Sequence, residues 1–331
     1  MPLITFTDRG IYCPRADVYI DPWKSVDAAL ITHAHSDHSR PGCRKYLATH
    51  LSKPVMQHRL GARTNIQGVN FGEMIRINGV EISFHPAGHI IGSAQVRLSY
   101  KGEIWVVSGD YKVEDDGLSG AFEPVKCTHF ITESTFGLPI YQWRPQHLVF
   151  QDINAWWQKN AVDQKVSLVS AYSLGKAQRV VHHLDNGIGP IYVHNAVHGI
   201  HESFRSIGID IPEYPVFDES DVKNIVPGSM IVGPSAIVDA NWTKKIKGLE
   251  TAAVSGWMQV RGIRRRSSLD RGFVLSDHAD WPGLLQAIEG TGAENIFVTH
   301  GYTDVFTRYL NENGWNAHIV STEYSPAEND D

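Results

Sequence analysis

Three imidazoles and one carboxylate fall within six residues at His33-Ala34-His35-Ser36-Asp37-His38. They follow an apolar run, Ala28 to Ile31, that reads as a buried strand. In an extended segment alternate side chains share a face, so His33 and His35 can point the same way. A turn near Ser36 can send Asp37 and His38 to a second point close by. One short segment could therefore serve two cations, and histidine with aspartate suits a borderline divalent ion such as zinc, manganese or iron. An isolated H-x-H pair would carry little weight in a chain with 17 histidines. The longer pattern directly after an apolar strand is different, because packing has no use for it.

Other residues at strand ends can join this cluster. Asp21 closes a short apolar segment just before Pro22; alone it reads as a turn former, but beside the histidines it could accept a hydrogen bond from a ligand imidazole and fix its tautomer. His89 lies in a glycine-bracketed turn, Gly88 to Gly92, that could carry it toward the first cation as a third ligand. Asp110 follows Gly109 after the strand Ile104–Val107 and could bridge two cations through its two oxygens. Glu133 ends a strand in the same fashion, and His278 and His300 sit just past short apolar runs, as His33 does. Repeated chemistry at strand ends argues for one shared rim. A separate feature is basic. Arg261, Arg264, Arg265 and Arg266 fall within six residues, with Arg271 beyond. They could neutralise phosphates of a polyanion, or form a solvated face. Lys176 and Arg179, near the start of a helix capped by Ser173, could add to an anion site, since helix N-termini favour negative charge.

The elements that must position these residues come in two styles. Residues 3–32 read as four short strands, at Leu3–Thr7, Gly10–Cys13, Asp17–Ile20 and Ala28–Thr32. Residues 39–72 read as loop-rich with a helix near Val55–Asn65, and Val80–His85 and Ala94–Tyr100 as half-buried antiparallel strands. After Pro145 strand-then-helix units recur, Val166–Ala171 with Leu174–Leu184, Ile191–Val193 with Val197–Ile207, and Met230–Val232 with Ser235–Lys247, which indicates a parallel sheet flanked by helices. Residues 146–268 thus read as a second α/β unit inserted in the first, which resumes at 269 with strand Phe273–Leu275. The acidic stretch 325–331 reads as disordered.

Bulk properties narrow the function classes. The net charge of −6 gives no overall basic field, which argues against a nonspecific nucleic-acid coat but not against an enzyme with a local basic groove. Three scattered cysteines without C-x-x-C spacing speak against a disulfide framework and a cysteine-ligated structural zinc. With no basic-then-apolar leader and no long apolar run, a cytoplasmic protein without a membrane role is expected.

Taken in order, H-A-H-S-D-H, G-H, G-D-Y and T-H-G resemble the metallo-β-lactamase superfamily. The set T-E-S-T-F-G, S-D-H-A-D and T-H-G, with Ser170-Ala171-Tyr172-Ser173-Leu174-Gly175-Lys176-Ala177-Gln178, is similar to its β-CASP nuclease branch. Arg9 to Pro14, Asp21-Pro22-Trp23 and the stretch 261–280 look most like the bacterial ligase-associated DNA exonuclease, or manganese-dependent phosphoesterase, group. The resemblance implies an αββα sandwich (1–145 with 269–331) carrying an inserted α/β β-CASP domain (146–268). It implies two divalent ions, manganese for activity or zinc, with His33, His35 and His89 on the first, Asp37, His38 and His300 on the second, and Asp110 bridging. Asp37, Glu133 and His278 would take part in the chemistry. The implied activity is hydrolysis of single-stranded DNA in repair, in the pathway of an ATP-dependent DNA ligase and an Lhr-type helicase. A histidine at the last motif, His300, favours RNA instead, so an RNase J-type nuclease is the alternative reading, with a small-molecule metallohydrolase behind it.

Overall fold

The computed structural model describes residues 2–262 and 269–320; Arg264, Arg265, Arg266 and the acidic stretch 325–331 lie outside the described residues. The described residues divide into two compact units, one formed by 2–142 and 278–320, the other by those between 143 and 277.

The first unit is built on two sheets. One has six strands in sequential order: β1 (Thr5–Thr7), β2 (Gly10–Cys13), β3 (Val18–Ile20), β4 (Ala28–Leu30), β5 (Lys45–Thr49) and β6 (Ile66–Val69). The other has seven: β7 (Ile75–Ile77), β8 (Val80–Pro86), β9 (Ala94–Tyr100), β10 (Glu103–Val107), β11 (His129–Ser134), β17 (Asn295–Gly301) and β18 (Ala317–Ile319), in the order β18-β17-β11-β10-β9-β8-β7. Ile20, Leu30 and Leu47 of the first sheet share one core with Ile82, Phe84, Val96, Leu98 and Ile131 of the second. Period-2 alternation sends the other face of the second sheet, Val106, Phe130, Ile296 and Val298, against helices α5 (Trp281–Thr291) and α6 (Thr303–Glu312) through Leu284, Ile288, Phe306 and Leu310. Helix α1 (Lys53–Leu60) contacts β6 of the first sheet, burying Val55 and Met56. This is an α/β fold of the metallo-β-lactamase type.

The second unit holds an all-parallel sheet: β12 (Val166–Ser170), β13 (Ile191–Val193), β14 (Met230–Gly233), β15 (Leu249–Val254) and β16 (Arg271–Phe273), ordered β13-β14-β12-β15-β16. Its inner strands β12 and β14 are buried along their whole length, as parallel strands covered on both faces are. Helices α2 (Gln146–Val162), α3 (Lys176–His183) and α4 (Asn195–Arg205) share one core with it. Phe217, Val222, Ile237 and Trp242 form another with Leu168 and Ile231.

Three expectations change. The helix expected over Ser235–Lys247 is two short 3₁₀ turns, Ser235–Ile237 and Thr243–Lys245; Asp239 and Asn241 between them favour turns over helix. The stretch expected to be loop-rich, 39–72, contains β5 and β6, which extend the first sheet in parallel. The insert expected to end at 268 stops short of β16, whose pairing with β15 keeps it in the second unit.

Candidate metal centre

Of the expected site residues, Ser173, Lys176 and Arg261 belong to the second unit. Lys176 is buried and its Nζ lies 3.9 Å from Asp277 Oδ2, so its charge faces a carboxylate rather than solvent. Ser173 is half-buried, and Arg261 is exposed.

The remaining residues converge in the first unit at the ends of β3, β4, β8, β10, β11 and β17. Asp21 follows β3 in left-handed backbone conformation, φ 43°, one of the few side chains that tolerate it. Its Oδ1 accepts the Thr32 N–H at 2.8 Å, and its Oδ2 accepts the Thr32 hydroxyl at 2.5 Å and the His38 Nδ1–H at 2.8 Å. One carboxylate thereby ties the end of β4 to the loop that follows it. Because a carboxylate can only accept, His38 carries its hydrogen on Nδ1, and its Nε2 faces Asp110 Oδ2 at 3.3 Å and Asp37 Oδ2 at 3.6 Å. Arg59 of α1 braces the same loop, donating to the Ala34 carbonyl and, at 2.9 Å, to Ser39 Oγ.

His89 is seated by its own turn, where the His89 and Ile90 N–H groups donate to Ser93 Oγ at 3.1 and 3.2 Å. Its Nε2 lies 3.1 Å from His35 Nδ1 and 3.9 Å from Asp110 Oδ2. His33 Nε2 is 3.4 Å from the same carboxylate oxygen. Donor atoms of His33, His35, His89 and Asp110 all fall within 4.8 Å of one another, as do those of Asp21, His33 and His38, and those of Asp110, Glu133 and His278. The expected second set closes less tightly: Asp37, His38 and His300 form no such group among the described residues, although the His300 ring stacks on that of His38 at 5.3 Å.

Beside the cluster, Glu133 accepts the Tyr111 N–H on Oε1 at 2.7 Å and the His278 Nδ1–H on Oε2 at 2.8 Å. The register of β11 against β17 shifts between Glu133 and Ser134. His300 beyond it has φ 51°, and Ser134 Oγ donates to its carbonyl. A bulge of this kind re-aims side chains at a sheet edge.

The electrostatics follow from burial. Burial opposes ionisation of Asp110, but the imidazoles of His38, His278 and His33 outweigh it and hold the carboxyl well below the usual range. Burial likewise opposes a charge on His38, and Asp110, Asp37 and Asp21 override it, raising His38 well above an ordinary histidine. His33 is pushed well down by burial and by His38, and His300 falls to about 4 for the same reasons. Burial pushes the Glu133 carboxyl up, against the opposing pull of His278.

A divalent cation fits these donors. His33 Nε2 is fully buried and makes no hydrogen bond, an expense that a coordinated ion would remove. The donors are imidazole nitrogen and carboxylate oxygen without thiolate, a set that takes zinc or manganese. Thr32, Arg59 and Tyr111 were not singled out from sequence. Thr32 adjoins the histidine motif, whereas Arg59 and Tyr111 show only through contacts distant in the chain.

No protein-family model matches the chain. It is 30% identical over 329 residues to a protein named "Probable DNA ligase" from Opitutus terrae, a match covering 98% of this chain and 32% of that protein. It is 25% identical over 269 residues to "Ribonuclease TTHA0252" of Thermus thermophilus, covering 64% of this chain and 61% of the relative. The chain thus spans about a third of the first relative's length. Other relatives are named as endoribonucleases, as cleavage and polyadenylation factor subunits and as an RNase J-like protein. Among solved structures, a protein of unknown function from Enterococcus faecalis superposes with a TM-score of 0.60 at 10% identity, over 89% of this chain and 79% of that one. Several of these relatives carry RNA-cleaving names.

Proposed function

We propose that the chain hydrolyses phosphodiester bonds of a single-stranded nucleic acid at this cluster, using two divalent ions. The observation that supports it most directly is the buried set His33, His35, His89 and Asp110 within 4.8 Å, adjoined by the Glu133–His278 pair. His33, His35 and His89 would hold one ion, Asp37, His38 and His300 the other, and Asp110 both. When bound, such ions lower the pKa of water to ~7 and neutralise charge on the phosphoryl oxygens.

The protein's own groups supply the rest. Asp37, partly exposed at the rim, takes the proton that water gives up as its oxygen bonds to phosphorus. The bond from phosphorus to the departing sugar oxygen breaks, and His278 delivers a proton from Nε2 to that oxygen. Glu133 holds Nδ1 and so fixes which ring nitrogen acts. Asp21 does the same for His38, leaving Nε2 to face the ion.

DNA is our first substrate reading, because the relative matching nearly the whole chain is named as a DNA ligase. A cytoplasmic partnership with an ATP-dependent ligase and an Lhr-type helicase, which need trimmed ends, belongs to that reading. The ribonuclease names and the histidine at position 300 favour RNA instead. One matrix separates them: end-labelled single- and double-stranded DNA and RNA, and a circular single strand, each with manganese or zinc, alongside thioester and lactam substrates. Cleavage of linear but not circular single-stranded DNA with manganese is expected. Turnover confined to RNA would replace the substrate, and turnover confined to thioester or lactam would replace the reading altogether.

A further inference from the structure

The brace made by Asp21 does not end at His38. Thr32 is 1% exposed, and its hydroxyl stands between two groups, 2.5 Å from Asp21 Oδ2 and 3.0 Å from His33 Nδ1. A hydroxyl has one hydrogen to give and lone pairs to receive with. Asp21 already accepts the Thr32 N–H on Oδ1 and the His38 Nδ1–H on Oδ2. A carboxylate has no hydrogen to return, so the hydroxyl hydrogen of Thr32 points at Asp21. What the hydroxyl then shows His33 is a lone pair, and Nδ1 of that ring carries the hydrogen. Its Nε2 is left with a free lone pair, 3.4 Å from Asp110 Oδ2.

Hydrogen bonds thus run from His33 through Thr32 to Asp21, and from His38 to the same carboxylate oxygen. The two rings at the ends of this relay have centroids 4.0 Å apart, yet they belong to the two different ligand sets described above. His33 is fully buried, and Thr32 supplies the hydrogen-bond partner of its Nδ1 among the described residues. Gly109 closes one side of the hydroxyl, leaving no space there for even a methyl group. Fixing the hydrogen on the far nitrogen is how an outer partner decides which atom of a histidine faces an ion.

We propose that Thr32 is a positioning residue that extends the Asp21 carboxylate to His33, so that one acid sets the ligating nitrogen of a histidine on each ion. This rests on the two-ion reading above, in which His33 and His38 serve separate ions.

The proposal places a hydrogen, and that hydrogen can be located without metal. Long-range proton–nitrogen spectra of the metal-free protein, isotopically labelled at its histidines, report which ring nitrogen is protonated, and His33 is identified by its loss in His33→Gln. The hydrogen should sit on Nδ1 in the wild type and in Thr32→Ser. In Thr32→Val, which keeps the branched shape without the hydroxyl, it should move to Nε2 or be shared. A wild-type hydrogen on Nε2 overturns the relay, even should Thr32→Val fail to fold; so does a hydrogen that stays on Nδ1 in Thr32→Val. Calorimetric titration with manganese reads the consequence. Thr32→Val should weaken one of the two ions ~10–100-fold, the scale of losing an outer partner, and leave the other at wild-type affinity. Thr32→Ser should match the wild type, and Asp21→Asn should weaken both ions. Equal weakening of both in Thr32→Val, or the same weakening in Thr32→Ser, would show a packing role and overturn the proposal. A wild type that binds a single ion defeats the two-ion reading whatever the spectra show, whereas two bound ions with the His33 hydrogen on Nε2 defeat only the relay.

Discussion

At the scale of single residues, Asp110 and His278 carry different parts of the proposed mechanism. Asp110 Oδ2 lies within 4 Å of three imidazole nitrogens, so its charge is the common point of the cluster. Asp110→Asn should lose bound metal, measured by elemental analysis after gel filtration; full occupancy in that variant would remove Asp110 from the ligand set. His278→Ala should keep its metal and lose turnover by ~10²–10⁴-fold, the usual contribution of a proton-transferring side chain. The types and spacing at 33–38 were legible because ligation demands particular atoms at particular intervals. Arg59 and the Arg179–Asp277 pair were not, because their partners lie 25 and 98 residues away and no local pattern marks them.

At the scale of elements, the site is a set of loops held by tight backbone. Gly109 has φ 57°, and a Cβ there would come within 2.6 Å of the Thr32 Cβ and 2.5 Å of its hydroxyl. That hydroxyl is the one bonded to Asp21, so Gly109→Ala should disturb the brace on His38 as well as strain the turn. We expect a loss of ~1–3 kcal/mol of stability, the cost of overpacking, together with weaker metal binding; an unchanged melting temperature would count against it. Short strands bounded by Gly, Pro or charge could be read from the chain, and so could the parallel core strands. β5 and β15 could not: Lys45–Thr49 begins with a charged residue and Leu249–Val254 carries Glu250 and Thr251 in its first half, and only pairing with their neighbours makes them strands.

At the scale of the molecule, two linkages to solution conditions follow. Ion binding to the folded state alone stabilises it, so chelation should lower the melting temperature and added manganese or zinc restore it. His201 of α4 is fully buried, neither ring nitrogen has a hydrogen bond, and burial, then Arg205 and His198, lower its pKa to about 4. Above the unfolded value of ~6.5 neither state carries the proton. As pH falls below that value the unfolded chain takes it up and the folded chain does not, so stability declines down to about 4 and then levels, by at most about 3 kcal/mol. His201→Leu should flatten that decline in melting temperature between pH 6.5 and 4, and parallel curves for the two proteins would refute the assignment. The inserted parallel sheet was foreseeable from the change of periodicity near Pro145, and the paired-sheet plan only through the family resemblance. The identity of the residues that end the insert was not, because it depends on β16 pairing with a strand that no pattern announces.

The grouped donors run from Asp21 to His278, with the parallel-sheet unit between the early ones and the last. A chain still on the ribosome owns the first histidines long before it owns His278 and His300. Until that later segment is translated and seated, the early donors lack His278 beside Asp110 and Glu133. The order of synthesis therefore leaves a prematurely stopped product without the full set of donors, and so without the proposed activity.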